Sequence, residues 1–143
     1  MPKFALLVRA TALSESGKLP PDASTLLTKM TAYNALLLDS GVLLAGDGLT
    51  ASSRGARVYF SSSPPTVKKG PFDLDTLVSG YWMIQAKDLD EAIEWAKRIP
   101  FGTDDGVVEV RPVTGPEDFG EHMTEELKAK DEELRVRLEK QQE

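Results

Sequence analysis

Residues 79–100 read SGYWMIQAKDLDEAIEWAKRIP, and a change of period inside them decides the fold. From Ser79 to Ala86 successive side chains fall on opposite faces of a strand, Tyr81 and Met83 on one and Trp82 and Ile84 on the other. At Asp88 the pattern changes: Glu91 follows three residues on, a capping-box spacing. Leu89, Ala92, Ile93, Ala96 and Ile99 then recur at helical intervals until Pro100. The stretch predicts a strand delivered directly into an amphipathic helix, and that strand is apolar on both faces.

The same reading extends outward. KFALLVRA (3–10) is a short apolar strand, with Phe4, Leu6 and Val8 opposed to Ala5 and Leu7, and a loop closed by Pro20 and Pro21 follows it. From Asp22, the residues Leu26, Leu27, Met30, Tyr33, Leu37 and Leu38 fall at helical spacing, and Gly41 is placed to end that helix in a left-handed conformation. VLLAGDGLT (42–50), ARVYFSS (56–62) and GVVEVRPV (106–113) complete a β-α-β-β-β-α-β order. That order predicts an α+β fold: a ferredoxin-like antiparallel sheet of four or five strands with two core helices and an additional strand or hairpin.

Residues 117–143 carry Phe119, Met123, Leu127, Leu134 and Leu138 on a narrow stripe amid dense charge. They read as a C-terminal amphipathic helix, a helical extension appended to a domain spanning 1–116. Two core helices cover one face of a sheet. Apolar side chains on the other face would leave a patch larger than monomers normally expose, so a homodimer with the open faces together is expected, the competing arrangement being a monomer whose tail helix covers that face.

Composition narrows the function. With 17 basic against 23 acidic residues and a net charge of −6 in 143 residues, the chain is not built to displace counterions from nucleic acid or to bind an anionic membrane. The absence of cysteine excludes disulfides and thiolate chemistry. A single histidine, no calcium-loop spacing, and no Gly-rich loop that opens a helix leave no expected metal or nucleotide cofactor. No apolar run approaches the ~20 residues that span a bilayer, and a cytoplasmic protein is expected.

Candidate chemistry falls in four places. In VKKGPFDLDTLVSGYW (67–82), charges flank a Gly-Pro turn; Lys69 is a candidate to bind a carboxylate or enolate and Asp73 to move protons, unless both are solvated loop charges. Asp47 sits in a Gly-Asp-Gly segment at a strand end, where backbone approaches a ligand closely or simply turns. Arg9, Glu109 and Arg111 lie on strands, where burial would demand an ion pair or a ligand. Tyr81 and Trp82 are candidates to line a pocket, or are core aromatics with satisfied polar tips.

The GPF of residues 70–72, followed by SGYWMIQAKDLDEAIEWAKRIP, GVVEVRPV and EDFGEHMTEELKAKDEELR, together with SGVLLAGDGL, resembles the YCII-related proteins of the DGPF type. The resemblance runs over residues 3 to 138. It implies a dimeric α+β barrel and a small cofactor-independent enzyme acting on an organic small molecule, a lyase, isomerase or hydrolase. The alternative is a noncatalytic small-molecule-binding or dimeric interaction module. Lys69 stands where the family motif opens with an acid, the segment DLDT is one residue short, and the sole histidine, His122, lies in the charged tail. The acids of the family motif and its histidine-aspartate pair are therefore not carried over intact.

Overall fold

A computed structural model describes residues 1–101 and 106–142; Glu143, the last residue of the expected extension, lies outside them. The chain forms two compact units, Met1–Pro112 and Val113–Glu143. In the first, strands β1 (Lys3–Arg9), β2 (Leu43–Gly48), β3 (Ala56–Tyr59), β4 (Thr66–Lys69), β5 (Val78–Gln85) and β6 (Val108–Pro112) accompany helices α1 (Ala12–Glu15), α2 (Ala23–Asp39) and α3 (Leu89–Lys97). Four strands make one sheet in the order β2-β5-β1-β6. β1 runs antiparallel to both β5 and β6, and β2 antiparallel to β5. Each helix thus connects two parallel strands with one antiparallel strand between them, the ferredoxin-like arrangement.

Local chemistry sets the turns between these elements. Asp88 Oδ1 accepts from the Glu91 N–H at 2.9 Å and Glu91 Oε2 accepts from the Lys87 N–H at 2.7 Å, so α3 begins at the capping pair. Gly41 takes φ +73° after α2, and the N–H of Val42 returns to the Leu37 carbonyl at 2.9 Å, closing the helix before β2.

Of the two forms open to the additional element, the hairpin is found: β3, from ARVYFSS, pairs with β4, Val58 opposite Val67, as a separate two-stranded hairpin. Thr66–Lys69 has one apolar residue and no alternation, so it carries no strand signature of its own and forms through its partner. Residues 12–15, expected as loop, make a helical turn started by a reciprocal Thr11–Ser14 box.

The core lies on one face of the sheet. Phe4, Leu6, Trp82 and Ile84 point toward Tyr33 and Leu37 of α2, toward Ala92 of α3 and toward Ile99 just beyond it, all buried. Full burial of side chains such as Leu6, Leu37 and Ile84 stabilises the fold by about 1.5–3 kcal/mol each. Leu27 and Leu38, expected on the core face, are 62% and 64% exposed, because the buried stripe of α2 is narrow and centred on Tyr33 and Leu37. Among the described residues no helix is long and apolar enough to cross a membrane.

The second unit holds a 3₁₀ segment, Pro116–His122, and helix α4 (Glu125–Gln141). Thr124 caps α4 by accepting from the Leu127 N–H. The exposed pairs Arg135–Asp131 and Lys128–Glu125 contribute about 0.3–0.5 kcal/mol each at helical spacing.

Candidate functional site

Strand register places the polar candidates of three strands on one surface. Asp47 of β2 pairs with Tyr81 of β5, Tyr81 with Leu7 of β1, and Leu7 with Glu109 of β6. The next row runs Ala45, Met83, Ala5, Arg111. Paired residues share a face, so both rows lie on the side of the sheet opposite Phe4, Leu6 and Ile84. That face is apolar in its centre, at Ala5, Leu7 and Met83, with Asp47 on one edge and Glu109 and Arg111 on the other.

Tyr81 donates its hydroxyl to Asp47 Oδ2 at 3.1 Å. The hydrogen bond to Asp47 raises the Tyr81 pKa above its usual value, reinforced by the carboxylate's charge and slightly by burial. The phenol therefore stays protonated and orients the carboxylate, and Asp47 Oδ1 has no partner among the described residues. A carboxylate held by one oxygen and presenting the other suits proton abstraction.

On the far edge, the exposed Arg111 pairs with the half-buried Glu109 at 3.2 Å. Arg9 and Glu109 line a cleft of about 330 Å³ with Thr11, Leu74, Asp75 and Val107. Arg9 is fixed there by donating to the Asp75 carbonyl. A guanidinium held by backbone beside an open cleft is a ready partner for an anionic group.

Lys69 and Asp73 lie elsewhere. Lys69 ends β4 on the hairpin and Asp73 precedes a 3₁₀ turn; both are exposed. Among the described residues neither side chain makes an ion pair or hydrogen bond. What is anchored is the turn between them. Glu15 accepts from the Ser52 N–H at 2.9 Å and from its hydroxyl at 2.5 Å, and Ser52 Oγ in turn accepts from the Phe72 N–H at 3.0 Å. Gly70 donates to the Gly55 carbonyl at 3.0 Å, and a Cβ on Gly70 would collide with the Ser52 carbonyl. Arg57 lies over the Phe72 ring at 4.1 Å. The Gly-Pro-Phe turn is a backbone clasp between the hairpin and α1. Glu15 and Ser52, which sequence reasoning missed, hold it.

Trp82 takes the opposite face from Tyr81. It is buried, edge-on to Tyr33 at 5.4 Å between ring centroids, and its Nε1 donates to Asn34 Oδ1 at 2.7 Å. Alternation had separated Trp82 from Tyr81; Asn34 carried no signal, because its partner is 48 residues away. Among the described residues no three His, Asp or Glu side chains cluster to hold a metal ion.

A family model described as the YCII-related domain matches residues 3–117. The match ends before the charged tail. No curated protein matches the chain.

Proposed function

The chain belongs to the YCII-related family, and on that premise we propose that it is a small cofactor-independent enzyme acting on an organic small molecule. The site is the open sheet face. Asp47, oriented by Tyr81, removes a proton from carbon next to a carbonyl through its free Oδ1. The released electron pair moves onto the carbonyl oxygen as an enolate, whose charge a guanidinium stabilises. Return of the proton at another carbon gives isomerisation; loss of a β-leaving group gives elimination. Lys69 and Asp73 have no part in this reading.

The carrying observation is the row Asp47–Tyr81–Leu7–Glu109, which brings acid, phenol and apolar floor to a single face. A second copy of the chain encloses that face. With the two-fold axis parallel to the strands, the β2 edge of one copy meets the β6 edge of the other, setting Asp47 over the partner's Glu109–Arg111 pair. An axis across the strands would bring the β2 edge over itself, with no guanidinium beside Asp47, so the need to stabilise an enolate favours the first geometry.

The test is solvent exchange in D₂O with a panel of 2-oxo acids, β-diketones and enol lactones, followed by NMR. Wild-type protein is expected to accelerate deuterium entry into at least one of them, and Asp47→Asn to abolish it. Saturable binding with no exchange or turnover would instead support the noncatalytic small-molecule-binding reading.

A further inference from the structure

The helix-covered face of the sheet holds a second cleft, of about 470 Å³, between α2 and the β2–β5 edge. Such a volume is ordinary for a small-molecule site, roughly 300–1,000 Å³. Alternation assigns its walls. Asp47 and Tyr81 turn their side chains to the other face and meet the cleft through their backbone, while Ser79 sits at the bulge opposite Val8 and Arg9, its hydroxyl 3.5 Å from the Val8 carbonyl. The side chains lining it are Val8, Leu27, Met30, Asn34, Trp82 and Phe101, none of them charged. Asn34 accepts from Trp82 Nε1 through Oδ1, and the described residues offer its Nδ2 amide no acceptor.

Three glycines floor the cleft, Gly46, Gly48 and Gly80, and they differ in why they are glycine. A Cβ at Gly46 would lie 2.9 Å from Trp82 Cδ1, and one at Gly80 would lie 3.2 Å from the Asp47 carbonyl. Gly48 has no such neighbour: a Cβ there meets nothing within 4 Å. Its φ is not positive either. A glycine in a strand weakens it, and at position 48, the last residue of β2, neither a positive φ nor a packed neighbour calls for one. The open volume in front of it is where a side chain would stand.

We propose that this cleft is a binding site for an uncharged, planar aromatic molecule bearing a hydrogen-bond acceptor, that Asn34 Nδ2 donates to that acceptor, and that Gly48 keeps the space the ring occupies. The site lies on the opposite face of the sheet from Asp47 and is independent of the chemistry proposed there. With no cation among the described residues of its wall it discriminates against carboxylates and phosphates, whose desolvation nothing there repays, whereas the open face, with Arg9 and Arg111, receives them.

The probe pair is acetophenone and benzoate, one ring differing in charge. The readout is the ¹H–¹⁵N signal of the Trp82 indole, one of only two in the protein, identified by its loss in Trp82→Phe and its persistence in Trp95→Phe. Acetophenone is expected to shift that signal saturably, with benzoate at least tenfold weaker. Gly48→Leu is expected to abolish the shift while its melting temperature stays at or above the wild-type value, and Asp47→Asn to leave the shift intact. The proposal is overturned if acetophenone leaves the Trp82 signal in place, if Gly48→Leu keeps the response, or if benzoate binds as well.

Discussion

The Tyr81 hydroxyl and the Asp47 carboxylate, 34 residues apart in the chain, meet across the β2–β5 ladder at 3.1 Å. Because the hydrogen bond and charge of Asp47 raise the Tyr81 pKa, Asp47→Asn is expected to lower it. Phenolate absorbance against pH, with Tyr81→Phe to assign the transition, measures this. An unchanged Tyr81 titration in Asp47→Asn would mean the pair does not form in solution.

Tyr33 is a different kind of tyrosine. Burial pushes its pKa up from 10.0 to about 12, with the Arg98 cation pulling the other way, and its hydroxyl donates to the Trp95 carbonyl at 2.8 Å. The folded state therefore holds this proton more tightly than the unfolded state. The contribution is fully present below pH 10.0 and is lost as pH rises toward about 12. Tyr33→Phe is expected to cost about 0.5–1.5 kcal/mol at neutral pH and to flatten the alkaline fall in stability. Denaturant unfolding at neutral and alkaline pH compares the two slopes.

The strand-to-helix passage at residues 79–100 was legible because every signal in it is local: alternation from Ser79 to Ala86, then the Asp88–Glu91 cap. Both helices and the four sheet strands follow from such signals. The open face was legible only as an imbalance of apolar residues. Its rows depend on bulges between Leu43 and Ala45 and between Val8 and Arg9, which shift register in a way parity along a single strand does not reveal. The clasp was hidden for another reason: Glu15 reaches Ser52 across 37 residues and Ser52 reaches Phe72 across 20. The conspicuous charges of VKKGPFDLD drew attention to Lys69 and Asp73, while the bonded groups are the backbone of the turn and a distant carboxylate.

That clasp gives a stability prediction at a family-like motif. Gly70→Ala forces a Cβ against the Ser52 carbonyl, which is backbone and yields little, and is expected to cost about 3 kcal/mol. Ser52→Ala removes the hydroxyl that joins Glu15 to the Phe72 N–H and is expected to cost about 1–3 kcal/mol. Lys69→Ala and Asp73→Ala, at exposed side chains with no partner among the described residues, are expected to stay within about 0.5 kcal/mol of wild type. Urea unfolding of the four variants orders them; a Gly70→Ala as stable as Lys69→Ala would remove the clasp.

The proposed dimer turns on how the two edges of the open face differ. Leu7 stands near the middle of the Asp47–Tyr81–Leu7–Glu109 row, so Leu7→Glu places a charge inside any face-to-face contact and is expected to leave single chains in light scattering. At the edges, Arg111→Glu leaves two carboxylates, its own and that of Glu109, against the partner's Asp47, and is expected to weaken association about tenfold, roughly 1.4 kcal/mol. Adding Asp47→Lys sets a cation against those two carboxylates, and affinity is expected to recover. An axis across the strands predicts otherwise: Asp47→Lys would then exchange one like-charge contact for another, and the double variant would recover nothing. Concentration-dependent light scattering at low and high salt separates the two geometries, since only the first gives the double variant an attraction between edges that salt screens.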